Sequence, residues 1–534
     1  MLFSSYIFIF AFLPVVFCVY FILNHKEFYR SSIVWLTFAS LFFYSYWNII
    51  YLPLLLLSIS FNYIISGFIL KAQSKESNLH LHNAGGGGVK PFFSNKVLLC
   101  IALIFNLLLL CFFKYMDFFI NSTNLIFHSH FDLLHIALPL GISFFTITQI
   151  AFLIDCFNGI VKERNPINYA LFVTFFPHLI AGPILHHKEM MPQFADTNNK
   201  ILNYKNLALG LFLFAIGLFK KVVIADSFAK WANAGFSAVE NGEILNIFSS
   251  WVTSLSYTFQ LYFDFSGYCD MAVGLGLMFN IKLPINFNSP YKALNITDFW
   301  RRWHITLGRF LKAYLYIPLG GNQNNAYKQS KNYTLLNKIL TLRNLFIVAF
   351  ISGVWHGAGF GFIIWGTLHG LAMLTHRIYM YVLEPFNDKY VNKLEVKHSF
   401  RETRFYKILC WFITFNFINI TWVFFRAENV EGALNLLKGM FGVVWVELPT
   451  KWYMASSALH DIQGHDKTLV FLLLGFLICL CCRNSMQILE RFDKRIYFFP
   501  SLQVLCLLVL CFIYLLQKAY QNLFILIFRE CYAI

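Results

Sequence analysis

The sequence predicts an all-α, polytopic membrane protein, and three observations predict it. Of the 534 residues, 58% are hydrophobic and only 13% are charged, too little charge to solvate a soluble domain of this size. Apolar runs of about 20 residues, the length of a helical crossing, recur roughly eleven to thirteen times. These runs do not alternate polar with apolar, as transmembrane β-strands would. One integral membrane domain over residues 1–534 is expected, with broken or re-entrant helices where the pattern is interrupted.

In chain order, Tyr6–Leu23 is the first crossing. No basic segment or small-residue cleavage site precedes it, so it is expected to stay uncleaved. The first charges, His25, Lys26 and Arg30, follow it and place the N-terminus outside. Crossings near Ile33–Tyr51 and Leu52–Leu70 lead to a polar loop, residues 71–96, carrying Lys71, Lys75, Lys90 and Lys96. Its Gly85–Gly88 run reads as a flexible linker, because a phosphate-cradling loop needs a strand before it and a helix after. Val97–Ile120 and Ile136–Phe157 come next and lead to Lys162, Glu163 and Arg164. The loop between them has no Lys or Arg, so inside and outside alternate consistently.

Phe175–Pro183 holds two prolines and a glycine, which suits a short, broken helix better than a crossing. His178 within it either lines a cavity or is satisfied structurally. Leu207–Ile224 is a crossing that ends at Lys220 and Lys221. Ser249–Phe279 is a long helix with Asp264, Ser266, Tyr268 and Asp270 in an apolar surround. Carboxylates there face an interior pocket or a partner. The preferred role is to tie helices together or hold a histidine tautomer, with acid–base work as the alternative.

Pro284–Arg343 is the most basic region. Thr297 or Asp298 is expected to cap a helix over Phe299–Tyr316 whose aromatic and basic residues suit the cytoplasmic interface. His304 on it follows Trp303 and can point into the protein. Leu345–Tyr381 lies between that region and a second basic cluster, Lys389–Lys407. It must enter the membrane and return, as two short crossings or a re-entrant pair. Ile408–Phe425, Leu469–Cys482 and Leu502–Leu516, within residues 408–534, read as scaffold.

The net charge of +16 follows from Lys and Arg in short loops, a topology signal rather than a nucleic-acid footprint. The twelve cysteines lie mostly in apolar runs, and the adjacent Cys481 and Cys482 have no histidine or second pair at ligand spacing, so neither a metal site nor a disulfide framework is expected.

Candidate chemistry centres on Ser352-Gly-Val-Trp-His-Gly-Ala-Gly-Phe-Gly361. A histidine at membrane depth is costly and reads as functional. The glycines around it would break a helix, and irregular backbone at that depth is tolerated only beside a protein-enclosed cavity. His369 and His304 are two further histidines in the same region. Histidine is the usual base near neutral pH, and burial keeps it neutral and able to accept a proton. Beside such a base, a glycine-turn N–H, the Trp355 or Trp303 indole, or a protonated His304 would stabilise a developing oxyanion. Arg301, Arg302, Arg309 and Lys312 suit phosphate oxygens.

Several ordered stretches carry a resemblance. They are Leu138–Phe145, Phe175–Ile184, Tyr262–Tyr268 with Asp270, Leu283–Pro290, Asp298–His304, Ile317–Asn322 and Trp355–Gly357 through His369. Together the sequence resembles the membrane-bound O-acyltransferases, in the branch of alginate and peptidoglycan O-acetylation and D-alanyl transfer. The likeness runs over residues 138–370; the polar loop 71–96 is individual to this chain. The resemblance implies a helical core around a tunnel, a catalytic His356, a second functional histidine at His304 and a supporting His369. It implies acetyl-CoA as donor, no bound cofactor, and an acceptor on the far side of a bacterial inner membrane. That acceptor is an envelope polysaccharide or an extracytoplasmic esterase-like partner. A transfer of D-alanine from a carrier protein to teichoic acid, or a proton-coupled transporter or flippase, are the competing readings.

Overall fold

The computed structural model describes residues 1–81, 94–161, 164–322, 333–394, 403–446 and 458–493. The described residues form helices and no strands. Gly85–Gly88 with the rest of residues 82–93 of the polar loop, residues 395–402 of the second basic cluster and the run Leu502–Leu516 fall outside them. Among the described residues, six helices are long and apolar enough to cross a membrane, or seven if one bent pair counts as a single span. Some of the apolar runs fold there into shorter or broken helices. The chain divides into two compact units, residues 1–214 with 271–284, and residues 215–270 with 285–534.

The first unit begins with a π-type turn, Phe8–Phe12, that continues as α1 (Leu13–His25). It goes on through α2 (Tyr29–Ser45), α3 (Leu52–Leu81), α4 (Asn95–Phe127) and α5 (Ile142–Phe157). α5 starts later than the apolar run suggested, behind Pro139 and a Gly141 at φ +72°. Then come α6 (Pro166–Thr174), α7 (Phe176–Leu179) and α8 (His187–Ala195). α6 and α7 are the broken pair expected at Phe175–Pro183, with Pro177 starting the second piece. His178 is buried, and its Nε2 lies 2.9 Å from the Phe172 carbonyl, so this histidine is satisfied structurally.

Apolar helices gain little from packing apolar faces in lipid, so polar contacts and close approach matter more. α3, α4 and α5 meet at a buried amide network. Asn62 Nδ2 donates to Asn106 Oδ1 at 3.2 Å and Gln149 Oε1 at 3.0 Å, and Asn106 Nδ2 returns a 2.7 Å bond to Asn62.

The unit boundary falls within α9 (Tyr204–Phe219) and within α11 (Ile247–Met278). α9 does not stop at its lysines. A π-type turn, Lys220–Ala225, carries it into α10 (Asp226–Glu240), giving one span of 37 residues. The helix can continue because α11 supplies the countercharges. Lys220 Nζ sits 2.6 Å from Asp270, and Lys221 Nζ sits 2.5 Å from Asp264 and 3.4 Å from Asp226. Gly267 lets the helices close, since a Cβ there would lie 2.7 Å from the Gly217 carbonyl.

The rest of the second unit is α12 (Ile296–Arg302), α13 (Ile305–Leu311), α14 (Tyr333–His356), α15 (Phe360–Leu394), α16 (Arg404–Arg426), α17 (Val430–Met440), α18 (Asp466–Leu480) and α19 (Ser485–Asp493). α18 and α19 are the bent pair, at 55°. Two sequence expectations are corrected here. The cap of α12 is Asn295, whose Oδ1 accepts from the Asp298 N–H at 2.8 Å, and not Thr297 or Asp298. The single helix expected over Phe299–Tyr316 is broken at Trp303–His304, where His304 adopts φ +44°. A cluster of buried aromatics, among them Tyr262, Phe299, Trp303, Trp365 and Trp422, forms the centre of this unit.

Candidate active site

The glycine-rich stretch behaves differently at its two ends. Gly353 remains inside α14, and a Cβ there would meet the Phe362 carbonyl at 2.5 Å and Gly366 Cα at 2.7 Å. Glycine is therefore required at 353 to let α14 and α15 touch. The chain leaves the helix only after His356 and turns through Gly357–Gly359 before α15 starts at Phe360. His356 is thus the last residue of α14, half-buried, with its ring 4.9–5.3 Å from those of Trp355, Phe425 and Trp365. The arrangement is a pair of antiparallel long helices joined at the histidine.

His369 has a different environment. It is fully buried in α15, and both ring nitrogens are occupied. Trp300 Nε1 donates to Nδ1 at 3.2 Å, and Nε2 meets Thr421 Oγ1 at 3.0 Å. The Thr421 hydroxyl donates to the Ile418 carbonyl at 2.9 Å, so its oxygen must accept from His369. The ring proton is therefore on Nε2, and no lone pair is left for a substrate. This geometry braces α12, α15 and α16 against one another.

His304 lies in the break between α12 and α13, outside the spanning helices, and is 2% exposed. Its Nδ1 is 3.1 Å from Asn286 Oδ1, and no bond to Nε2 is found among the described residues. Burial pushes its pKa down to about 3, so the ring is neutral. Neutrality and a proton on Nδ1 disfavour the protonated, oxyanion-donating form expected as one option. Trp303 beside it packs into the aromatic cluster, 5.0 Å from both Phe287 and Trp422. The described ring contacts do not join His304 to His356. Phe265 flanks the His304 ring, and Trp365 and Phe425 flank that of His356.

A cavity of about 800 Å³ lies between α12, α13, α14 and α15. Arg301, Arg309 and Lys312 line it, with Arg377 and His376 from α15, which sequence reasoning missed. Arg302 is not on it: its Nε holds Asp298 at 2.9 Å, an i,i+4 pair. The cavity reaches Ile305, next to His304, and Ser352, one helical turn before His356. Ser352 is buried, and its Oγ has no hydrogen-bond partner. A satisfied core serine would have one, so Ser352 stands out among the residues that line the cavity.

The remaining predicted residues lie apart from that cavity. Asp264 and Asp270 are held by lysines and not by a histidine, and Asp270 also accepts from Ser485 Oγ at 2.6 Å. Ser266 is buried on α11, as is Cys269, while Tyr268 is half-buried. Trp355 stands next to His356 and is half-buried.

Fold and site together describe a multi-pass helical membrane protein whose cation-lined cavity reaches Ile305 and Ser352. The sequence profile of the MBOAT, membrane-bound O-acyltransferase family matches residues 158–425, and the chain belongs to that family. It is an acyltransferase. It is 49% identical over 527 residues to the peptidoglycan O-acetyltransferase of Helicobacter pylori, covering 92% of this chain and 91% of that one. It is 37% identical over 481 residues to the probable alginate O-acetylase AlgI of Pseudomonas aeruginosa, covering 89% and 81%. The teichoic acid D-alanyltransferase of Bacillus subtilis is 28% identical over 282 residues, 52% of this chain and 66% of its own.

Proposed function

We propose that this chain moves an acetyl group from acetyl-CoA, presented at the cytoplasmic face of a bacterial inner membrane, to an envelope polysaccharide, with peptidoglycan the favoured acceptor. The observation that carries the proposal is the cation-lined cavity. Arg301, Arg309, Lys312 and Arg377 suit the phosphates of CoA, and the far wall at Ser352 is one turn from His356. O-acetylating relatives match along most of this chain, and the D-alanyl relative along about half, which favours acetyl over aminoacyl transfer. An extracytoplasmic esterase-like partner that completes delivery belongs to the same reading.

The chemistry balances without a cofactor. A histidine takes the acceptor hydroxyl's proton as its oxygen bonds to the thioester carbonyl carbon. The C–S bond then breaks, and the proton passes to the departing CoA thiolate. His356 is assigned as that base. His304, with a bare Nε2, accepts a second hydrogen bond from the reactants. In this reading Ser352 and the N–H groups after His356 stabilise the oxyanion.

The test is acyl transfer from labelled acetyl-CoA by purified, folded protein carrying His356→Ala. Transfer falling to background is expected. Transfer at the wild-type rate would overturn the assignment. Envelope glycan O-acetylation measured with and without the gene identifies the acceptor.

A further inference from the structure

The His304 break is built more rigidly than a chance kink. Two backbone bonds fasten it: Asn288 N–H to the Arg302 carbonyl at 2.9 Å, and Ile305 N–H to the Asn286 carbonyl at 3.0 Å. Between them the Asn286 side chain is fully used. Its Oδ1 accepts from the Thr306 N–H at 3.1 Å and from Thr306 Oγ1 at 2.9 Å, and it faces His304 Nδ1 at 3.1 Å. Its Nδ2 donates to Cys269 Sγ on α11 at 3.3 Å. A backbone N–H can only donate, so the atom facing Thr306 is the oxygen and the amide cannot be flipped. His304 Nδ1 must then be the protonated nitrogen.

We infer that Asn286 is a positioning residue for the transfer: it fixes His304 as the Nδ1–H tautomer and leaves Nε2 as a hydrogen-bond acceptor for the reactants. The inference rests on the proposed role of His304. The partner of a functional histidine's second nitrogen sets which nitrogen is basic. An amide suits the place better than a carboxylate, because it orients the ring without favouring the imidazolium. The side chains at the ring, Phe265, Asn286 and Thr306, are uncharged. Of the charged groups on the elements packed here, Asp264 and Asp270 on α11 are paired with lysines, and Arg302 is paired with Asp298. Arg301 and Arg309 face the cavity.

The experiment compares Asn286→Ala, Asn286→Asp and His304→Gln in full-length protein, following transfer from acetyl-CoA as a function of pH. Asn286→Ala is expected to lower kcat about 10- to 100-fold, the range for losing an orienting partner, while KM for acetyl-CoA stays within about two-fold. Asn286→Asp keeps the acceptor atom and so retains most activity at alkaline pH. Its negative charge favours the imidazolium, so its acid limb moves to higher pH. Asn286→Ala combined with His304→Gln is expected to be no slower than His304→Gln alone. An unshifted acid limb in Asn286→Asp, or losses that multiply in the double variant, would overturn the inference. Asn286→Asp carries the test if the alanine variant does not fold. Wild-type rates in His304→Gln would instead remove the role of His304 on which the inference stands.

Discussion

The buried ion pair between Lys220 and Asp270 allows a quantitative test of what the membrane-depth carboxylates do. Asp270 Oδ2 is 2.6 Å from Lys220 Nζ and 2.6 Å from Ser485 Oγ, with the two charged side chains only 13% and 12% exposed. Asp270→Ala leaves the ammonium with a single hydroxyl partner, Ser485 at 2.8 Å. Breaking a buried pair from one side costs about 3–5 kcal/mol, roughly two to four decades in the folding equilibrium at about 1.4 kcal/mol per decade. Replacing both partners with apolar residues avoids the stranded charge. Lys220→Met with Asp270→Leu is therefore expected to fall within about 1 kcal/mol of wild type. Unfolding in detergent micelles, followed by helical signal, measures both. A loss below about 1 kcal/mol in Asp270→Ala, the range of a solvated surface pair, would refute the reasoning. So would a double variant that loses the sum of the two singles. The double variant also separates roles: a folded protein that no longer transfers acetyl would place Asp270 in the chemistry.

The glycine contact and the cavity cations give two more expectations. Gly353→Ala forces a methyl against the backbone of Phe362 and Gly366, which is expected to destabilise the protein by about 1–3 kcal/mol and to lower kcat by shifting His356; unfolding and steady-state kinetics in the same preparation check both. Arg301→Gln and Arg377→Gln are expected to raise KM for acetyl-CoA about 10-fold or more, with kcat little changed. Each removes a charge-assisted contact made equally in ground and transition states.

Much of this molecule was legible in the sequence because membrane helices announce themselves by composition. The broken helix at Pro177 and the polar stretch at His356 were readable from residue type alone. Arg302, grouped with the phosphate-binding candidates, is instead paired with Asp298, a pairing that the four-residue spacing on one helix face already signalled. The break at His304 was not readable, because a left-handed histidine carries no local signature and is held by a segment some 16 residues earlier. Asn286 left a faint trace in Pro284-Ile-Asn-Phe-Asn-Ser-Pro290, a run too interrupted for a helix. His376 and Arg377 join the cavity only through the return of α15, which spacing along the chain cannot show. The lysines at 220 and 221 read as a helix end because their partners on α11, Asp270 and Asp264, are more than 40 residues away. The bracing of His369 was likewise hidden, because its partners Trp300 and Thr421 are distant in sequence.

The chain of bonds through His369 has only one direction. Each link from Trp300 through the imidazole and the Thr421 hydroxyl to the Ile418 carbonyl passes a hydrogen forward, and none can be reversed without a ring flip. A reagent that acylates imidazoles needs a vacant nitrogen, and this ring has none to offer. Covalent labelling of the folded enzyme would therefore pass over position 369, leaving a clean readout of its more reactive counterparts.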